Sequence, residues 1–233
     1  MGPNCMGPYC PSAKLMAWGA IPGKDGTLGI ISQSGGITQR LTEQVSSLGV
    51  GVSKAASIGN AVVLDSPDFL DYMAGDRNIN VIALYLESVR DGRRLFDLAR
   101  TVSPRKPIIL LKGGQTEVGA ATVASHTGNM AGNHRLWNTF FEQTGVTPVY
   151  SINEWADAIM AFSCLPEARG DGLFIIGGGG GNSVIFSDRA VREGFAVPRL
   201  SRQSMEKIHP LVPAAGSIAG NPLDLWESFV NGD

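Results

Sequence analysis

The feature that most narrows the folds open to this chain is a repeated order: a short unbroken apolar run, a turn of small residues, then a helix-period segment. VIALYL (81–86) and PIILL (107–111) contain no polar interruption. Such runs suit strands covered on both faces, as parallel sheets require. TLGIIS (27–32) ends in Gln-Ser-Gly-Gly, and Ile37, Leu41, Val45 and Leu48 then recur at helical spacing. A helix over 91–102 follows the 81–86 run, with Leu95, Leu98 and Ala99 on one side. A further strand is expected at 146–150, before a helix from Asn153 carrying Trp155, Ile159 and Phe162. Strands separated by amphipathic helices imply parallel pairing through right-handed crossovers. The rhythm restarts near Gly170-Asp171-Gly172, with a strand at 173–176, glycines at 177–181, and helices at 182–193 and 201–208. Ser201 is in position to cap the last of these. This reading divides the chain into an opening piece (1–24), an α/β unit (25–167) and a second, shorter α/β unit (168–233) that stops before a final strand.

Composition excludes several classes. Of 233 residues 30 are glycine, clustered at the ends of apolar runs rather than in repeats, and the net charge is −2 without a Lys/Arg block. A basic nucleic-acid footprint is therefore absent. No apolar run approaches the ~18 residues of a membrane span. The three cysteines, Cys5, Cys10 and Cys164, cannot close a disulfide framework. The first residues lack the basic and apolar regions of a signal peptide. Cytoplasmic residence is the expectation. One C-x4-C without a second pair, and His134 and His209 without partners at ligand spacing, leave no candidate metal site.

Three segments carry candidate chemistry. Ser34, Gly35 and Gly36 lie between a strand and a helix, where free N–H groups and the absence of Cβ atoms suit a phosphate. A tight turn with a serine cap explains the same residues, and no Gly-Lys-Ser/Thr follows as in a Walker loop. Glu87 ends an apolar strand, and in parallel sheets the carboxyl ends of strands form the ligand crevice. A solvated strand end is the alternative. His126 stands in Ser125-His126-Thr127-Gly128, within a stretch (113–132) almost free of large apolar residues and read as a long connection. Such connections in compact domains are functional or disordered. A carboxylate on one ring nitrogen would fix the tautomer and leave the other nucleophilic; a surface histidine is the competing reading. The glycines at 177–181 fail the dinucleotide frame, because Asn182 takes its last position and no acidic residue follows at ribose distance.

Taken together, GPNCMG (2–7), GIISQSGG (29–36), SIGN (57–60), LYLE (84–87), KPIILLKGG (106–114), SHTGNMAG (125–132) and NPLDL (221–225) resemble the ADP-forming acyl-CoA synthetases, relatives of the succinyl-CoA synthetase α subunit. They stand in family order over nearly the whole chain. The resemblance implies two flavodoxin-like, doubly wound parallel-sheet subdomains, the second truncated. It also implies a reaction in which an acid, CoA and ATP interconvert with acyl-CoA, ADP and phosphate. An acyl phosphate passes its phosphoryl group to a histidine, at the position of His126, and then to the nucleotide. Glu87 matches the carboxylate that orients it. Ser34, Gly35 and Gly36, with Ser125, Thr127 and Gly128, match the phosphate surroundings, and Asn4 and Cys5 the edge of the acyl and CoA site. It implies as well a CoA-binding domain before residue 2, with residues 1–24 as its tail end plus a linker, and an ATP-grasp domain or β subunit supplying nucleotide and Mg²⁺. The partners are then that portion and a small carboxylic acid, in an oligomer, with no turnover by this part alone. Two other readings stand beside it: a non-catalytic regulatory module fused to an acetyltransferase, and a flavin-binding module, for which no aromatic residues flank 32–36.

Overall fold

In a computed structural model the structure describes residues 1–18, 24–127, 134–177, 179–212 and 219–225; of 124–127 and 134 it describes the main chain alone. The chain divides into two compact units, Met1–Pro166 and Glu167–Asp233.

The first unit is built on a seven-stranded sheet. Its strands are β1 (Gly7–Cys10), β2 (Leu15–Met16), β3 (Leu28–Ser32), β4 (Val52–Ser57), β5 (Val81–Leu86), β6 (Ile108–Lys112) and β7 (Thr147–Val149), in the order β2-β1-β4-β3-β5-β6-β7. The five strands from β3 to β7 are parallel, while β1 joins β4 antiparallel through Gly7↔Ser57 and Tyr9↔Ala55. Counted in chain order, the parallel strands run 2-1-3-4-5, the flavodoxin-like doubly wound arrangement.

Alternate strand residues face two cores. Leu28, Ile30, Ala83 and Ile109 meet Leu41 and Val45 of α1 (Gly35–Ser47), and Trp155 and Ile159 of α6 (Ile152–Cys164). Ile31, Ile82, Leu84 and Leu110 meet residues from α2 (Ser66–Gly75), α3 (Gly92–Val102) and α5 (His134–Thr144). Each fully buried side chain of this size contributes roughly 1.5–3 kcal/mol of transfer free energy, which is why β3, β5 and β6 read as continuous apolar runs. Helix starts are marked locally. Ser34 accepts from the Ile37 amide, Asp65 forms a capping box with Asp68, and Asp91 accepts from the Arg94 amide at 2.9 Å.

The structure departs from the sequence reading at several elements of the first unit. The stretch 113–132 is not one long loop, because α4 (Glu117–Thr127) occupies its middle. Ala120, Ala121 and Ala124 favour helix without leaving an apolar stripe, and Thr116 Oγ1 accepts from the Gly119 amide at 3.1 Å. β4 (VSKAAS) has no unbroken apolar run and was not legible as a strand, yet it lies between β1 and β3. Within the opening piece, Gly7–Cys10 and Leu15–Met16 are strands of the main sheet. The strand expected at 146–150 is shortened to Thr147–Val149.

In the second unit, β8 (Ile176–Gly177) pairs in parallel with β9 (Leu223–Asp224). The helices are α7 (Gly180–Arg192) and α8 (Arg202–Ile208). Ser201 caps α8, its hydroxyl accepting from the Ser204 amide at 3.1 Å. The expected strand at 173–176 begins later, at Ile176. Before it the Asn221 carboxamide stands in for a ladder partner, accepting from the Ile175 amide at 2.9 Å.

Candidate active site at the carboxyl edge of the first sheet

In a 2-1-3-4-5 sheet the connections from the first and third strands leave in opposite directions, which opens a crevice at their carboxyl ends. Here those strands are β3 and β5, and they end in Ser32-Gln33-Ser34-Gly35-Gly36 and in Glu87. One side chain joins the two. Gln33 Oε1 accepts from the amides of Glu87 (2.5 Å) and Ser88 (3.0 Å), and Gln33 Nε2 donates to Ser88 O (2.9 Å). Gln33 was not singled out from the sequence, where its only signal was its place between two serines.

At the β3 end, Ser32 Oγ donates to Ser34 O, and Ser34 Oγ caps α1 by accepting from the Ile37 amide. Among the described residues, no acceptor meets the amides of Gly35 and Gly36. They carry the positive end of the helix dipole. The two glycines differ in surroundings. A Cβ on Gly35 would stand 2.4 Å from Met6 Sδ, whereas one on Gly36 would meet no atom of the described residues within 4 Å. Packing therefore accounts for Gly35 and leaves Gly36 facing open space, the condition an anion bound to these amides would need.

Glu87 is buried at 7% exposure. Tyr85 Oη donates to its Oε1 at 3.1 Å, while its Oε2 is buried with no hydrogen-bond partner among the described residues. Burial, then the neighbouring carboxylate, pushes the Tyr85 hydroxyl well above its ordinary pKa. A buried unpaired carboxylate oxygen costs roughly 1–3 kcal/mol or more and points to a missing donor. The β6 end closes this side. Lys112 Nζ donates to Glu87 O at 2.8 Å and also to Gly113 O. A Cβ on Gly113 would come 2.7 Å from Tyr85 Oη and 3.3 Å from Glu87 Cγ.

At the β4 end, two turns touch main chain to main chain. Gly59 has φ +57°, and a Cβ there would lie 2.3 Å from Pro3 O and 2.6 Å from Cys5 N. The Asn60 amide donates to Pro3 O at 3.0 Å, Asn4 Nδ2 to Asn60 Oδ1 at 3.3 Å, and the Met6 amide to Ser57 Oγ at 3.0 Å. Asn4 and Ala61 both hold positive φ, 62° and 52°. Through Met6, the segment bearing Asn4 and Cys5 reaches Gly35. The structure thus gathers Glu87, Ser34, Gly35, Gly36, Asn4 and Cys5 along one edge. Ser125, His126 and Thr127 form the last residues of α4, and their side chains lie outside the described residues, as does Gly128. No group of three or more His, Cys, Asp or Glu able to hold a metal occurs among the described residues.

A doubly wound sheet with this strand order defines an α/β domain of flavodoxin type. The chain belongs to the family described as succinyl-CoA ligase like flavodoxin domain, whose model matches residues 25–162. It is 39% identical over 227 residues to the acetate–CoA ligase (ADP-forming) I subunit alpha of Pyrococcus furiosus, with 97% of this chain and 48% of that protein covered. It is 34% identical to the acetate–CoA ligase (ADP-forming) of Methanocaldococcus jannaschii, with 97% and 32% covered. Among solved structures it resembles acetyl-coenzyme A synthetase 1 of Ca. Korarchaeum cryptofilum, in complex with phosphate and ADP. That match has a TM-score of 0.88 and 35% identity, over 97% of this chain and 49% of the other. The chain thus spans half or less of the length of these relatives. No described helix is long and apolar enough to cross a membrane.

Proposed function

We propose that this chain is the phosphoryl-relay part of an ADP-forming acyl-CoA synthetase, interconverting acid, CoA and ATP with acyl-CoA, ADP and phosphate. The observation that carries the reading is a Glu87 Oε2 without a partner among the described residues, at the end of the strand next to the one that leads into the open amides of Gly35 and Gly36. The relatives, named as ADP-forming acetate–CoA ligases, support the same reaction class.

In the reading, the carbonyl carbon of acyl-CoA takes an oxygen of phosphate and releases the CoA thiolate, forming an acyl phosphate. One imidazole nitrogen of His126 then attacks phosphorus, and the carboxylate leaves. Glu87 Oε2 accepts the N–H of the other ring nitrogen, which selects the nucleophilic tautomer and stabilises the positive charge that develops. The amides of Gly35 and Gly36 hold the phosphoryl oxygens, with Ser34 fixing the helix end and Ser125, Thr127 and Gly128 completing the surroundings. Phosphohistidine then gives its phosphoryl group to ADP. Asn4 and Cys5 border the acyl and CoA side. Nucleotide and Mg²⁺ belong to an ATP-grasp partner portion and CoA to a CoA-binding domain, in a cytoplasmic oligomer.

The test is incubation of the assembled enzyme with γ-labelled ATP. Label that is acid-labile and base-stable, and absent from His126→Asn, is the expected result. Label that persists in His126→Asn removes the relay.

A further inference from the structure

Among the described residues Lys112 is the one strongly buried ammonium at this edge, at 3% exposure. Its neighbours are specific. Nζ donates to the main-chain carbonyls of Glu87 and Gly113 and lies 5.3 Å from the centre of the Trp137 ring. The three N–H groups of an ammonium are thereby met by two carbonyls and an aromatic face. Among the described residues no carboxylate lies within ion-pair distance of it. A buried charge without an ion pair is a poor way to stabilise a strand end, since an apolar side chain of similar length is cheaper to bury.

The position accounts for the lysine better. Glu87 and Ser88 have four main-chain polar groups, and side chains from the flanking strands hold all of them. Gln33, after β3, takes both amides and Ser88 O, while Lys112, at the end of β6, takes Glu87 O. The main chain that carries the carboxylate is thus held from both sides.

We infer that Lys112 is a positioning residue for Glu87: its ammonium locks the turn carrying that carboxylate and sets a positive charge behind it. This rests on the reading of Glu87 as the partner of His126. The charge offsets part of the repulsion between the buried Glu87 carboxylate and an incoming phosphoryl group. Burial pushes Lys112 down to about 8, against the opposing pull of Glu87. The aromatic group facing it is Trp137 on α5, which carries no charge. The ammonium is therefore present below about pH 8 and lost above it.

The experiment is the rate of histidine phosphorylation by ATP in the assembled enzyme, without CoA, from pH 6.5 to 9.5. The parent is expected to slow above about pH 8. K112R keeps its charge throughout, so the alkaline decline should vanish. K112M should be slower by about 10–100-fold, as for other partners that orient a reacting group. Adding K112M to E87Q should cost little more than E87Q alone, because both act through one carboxylate. The inference is overturned by a K112R profile that declines like the parent, by a K112M rate within twofold, or by a parent without a decline. If K112M does not fold, the K112R profile decides; if neither folds, the parent profile does. E87Q at the parent rate would instead sink the Glu87–His126 reading, whatever Lys112 does.

Discussion

At the residue scale, the site is shaped as much by missing atoms as by functional groups. Gly113 leaves room for the Tyr85–Glu87 hydrogen bond, since its Cβ would stand 2.7 Å from the Tyr85 hydroxyl. Gly113→Ala should lower stability by about 1–3 kcal/mol, the usual cost of overpacking. In thermal unfolding that is a fall of several degrees. Removing the hydroxyl in Tyr85→Phe/Gly113→Ala should recover part of it. An unchanged Tm for Gly113→Ala would mean that the β6 turn yields freely and Glu87 is less constrained than its contacts imply. Glu87 itself was legible in the sequence because a carboxylate closes an apolar run. Lys112 carries the same signal, a charge at the end of PIILLK, but burial separates it from a solvated strand end, and burial is not written in the run.

At the element scale, β3, its turn and α1 form the unit that presents the open amides. The strand, the serine cap and the helix period were all readable locally, because each depends on residues within one or two turns of chain. What local reading missed is that Gly35 and Gly36 do different things. Gly35 accommodates Met6, from a segment 29 positions earlier, and Gly36 faces open space. Gly36→Val should leave Tm within about 2 °C, since Gly and Val differ little in helix propensity and no atom is displaced. Phosphohistidine should nevertheless fail to form, because the new side chain takes the place of phosphate oxygens. Gly35→Val should displace Met6 and lower Tm. If Gly36→Val phosphorylates at the parent rate, the α1 start is a turn and nothing more. The helix α4 shows the converse limit: small residues without an apolar stripe give no periodic signal, yet their propensity for helix is high.

At the scale of the whole first unit, the opening residues belong to the sheet. Tyr9 is 2% exposed and stacks on Trp18 with ring centres 5.7 Å apart, and β1 lies against β4. Tyr9→Ala should cost about 3–5 kcal/mol, as for other large aromatic truncations in a core. The thermal midpoint should then fall on the order of 10 °C. A midpoint unmoved by the substitution would show residues 1–18 to be a dispensable tail. By itself the sequence determined the α/β class, the five parallel-sheet segments except β4, the capped helix after β3, and the ordered motifs that carry the family resemblance. Each of these is a matter of spacing along the chain. Only the tertiary structure decided the 2-1-3-4-5 order, the antiparallel β1 beside β4, the bridging by Gln33, and the unpaired oxygen on Glu87 with Lys112 beneath its turn. Those depend on which distant residues come to share one edge. Pairing across 54 or 25 positions, as between Gln33 or Lys112 and Glu87, leaves no periodicity for local reading to detect.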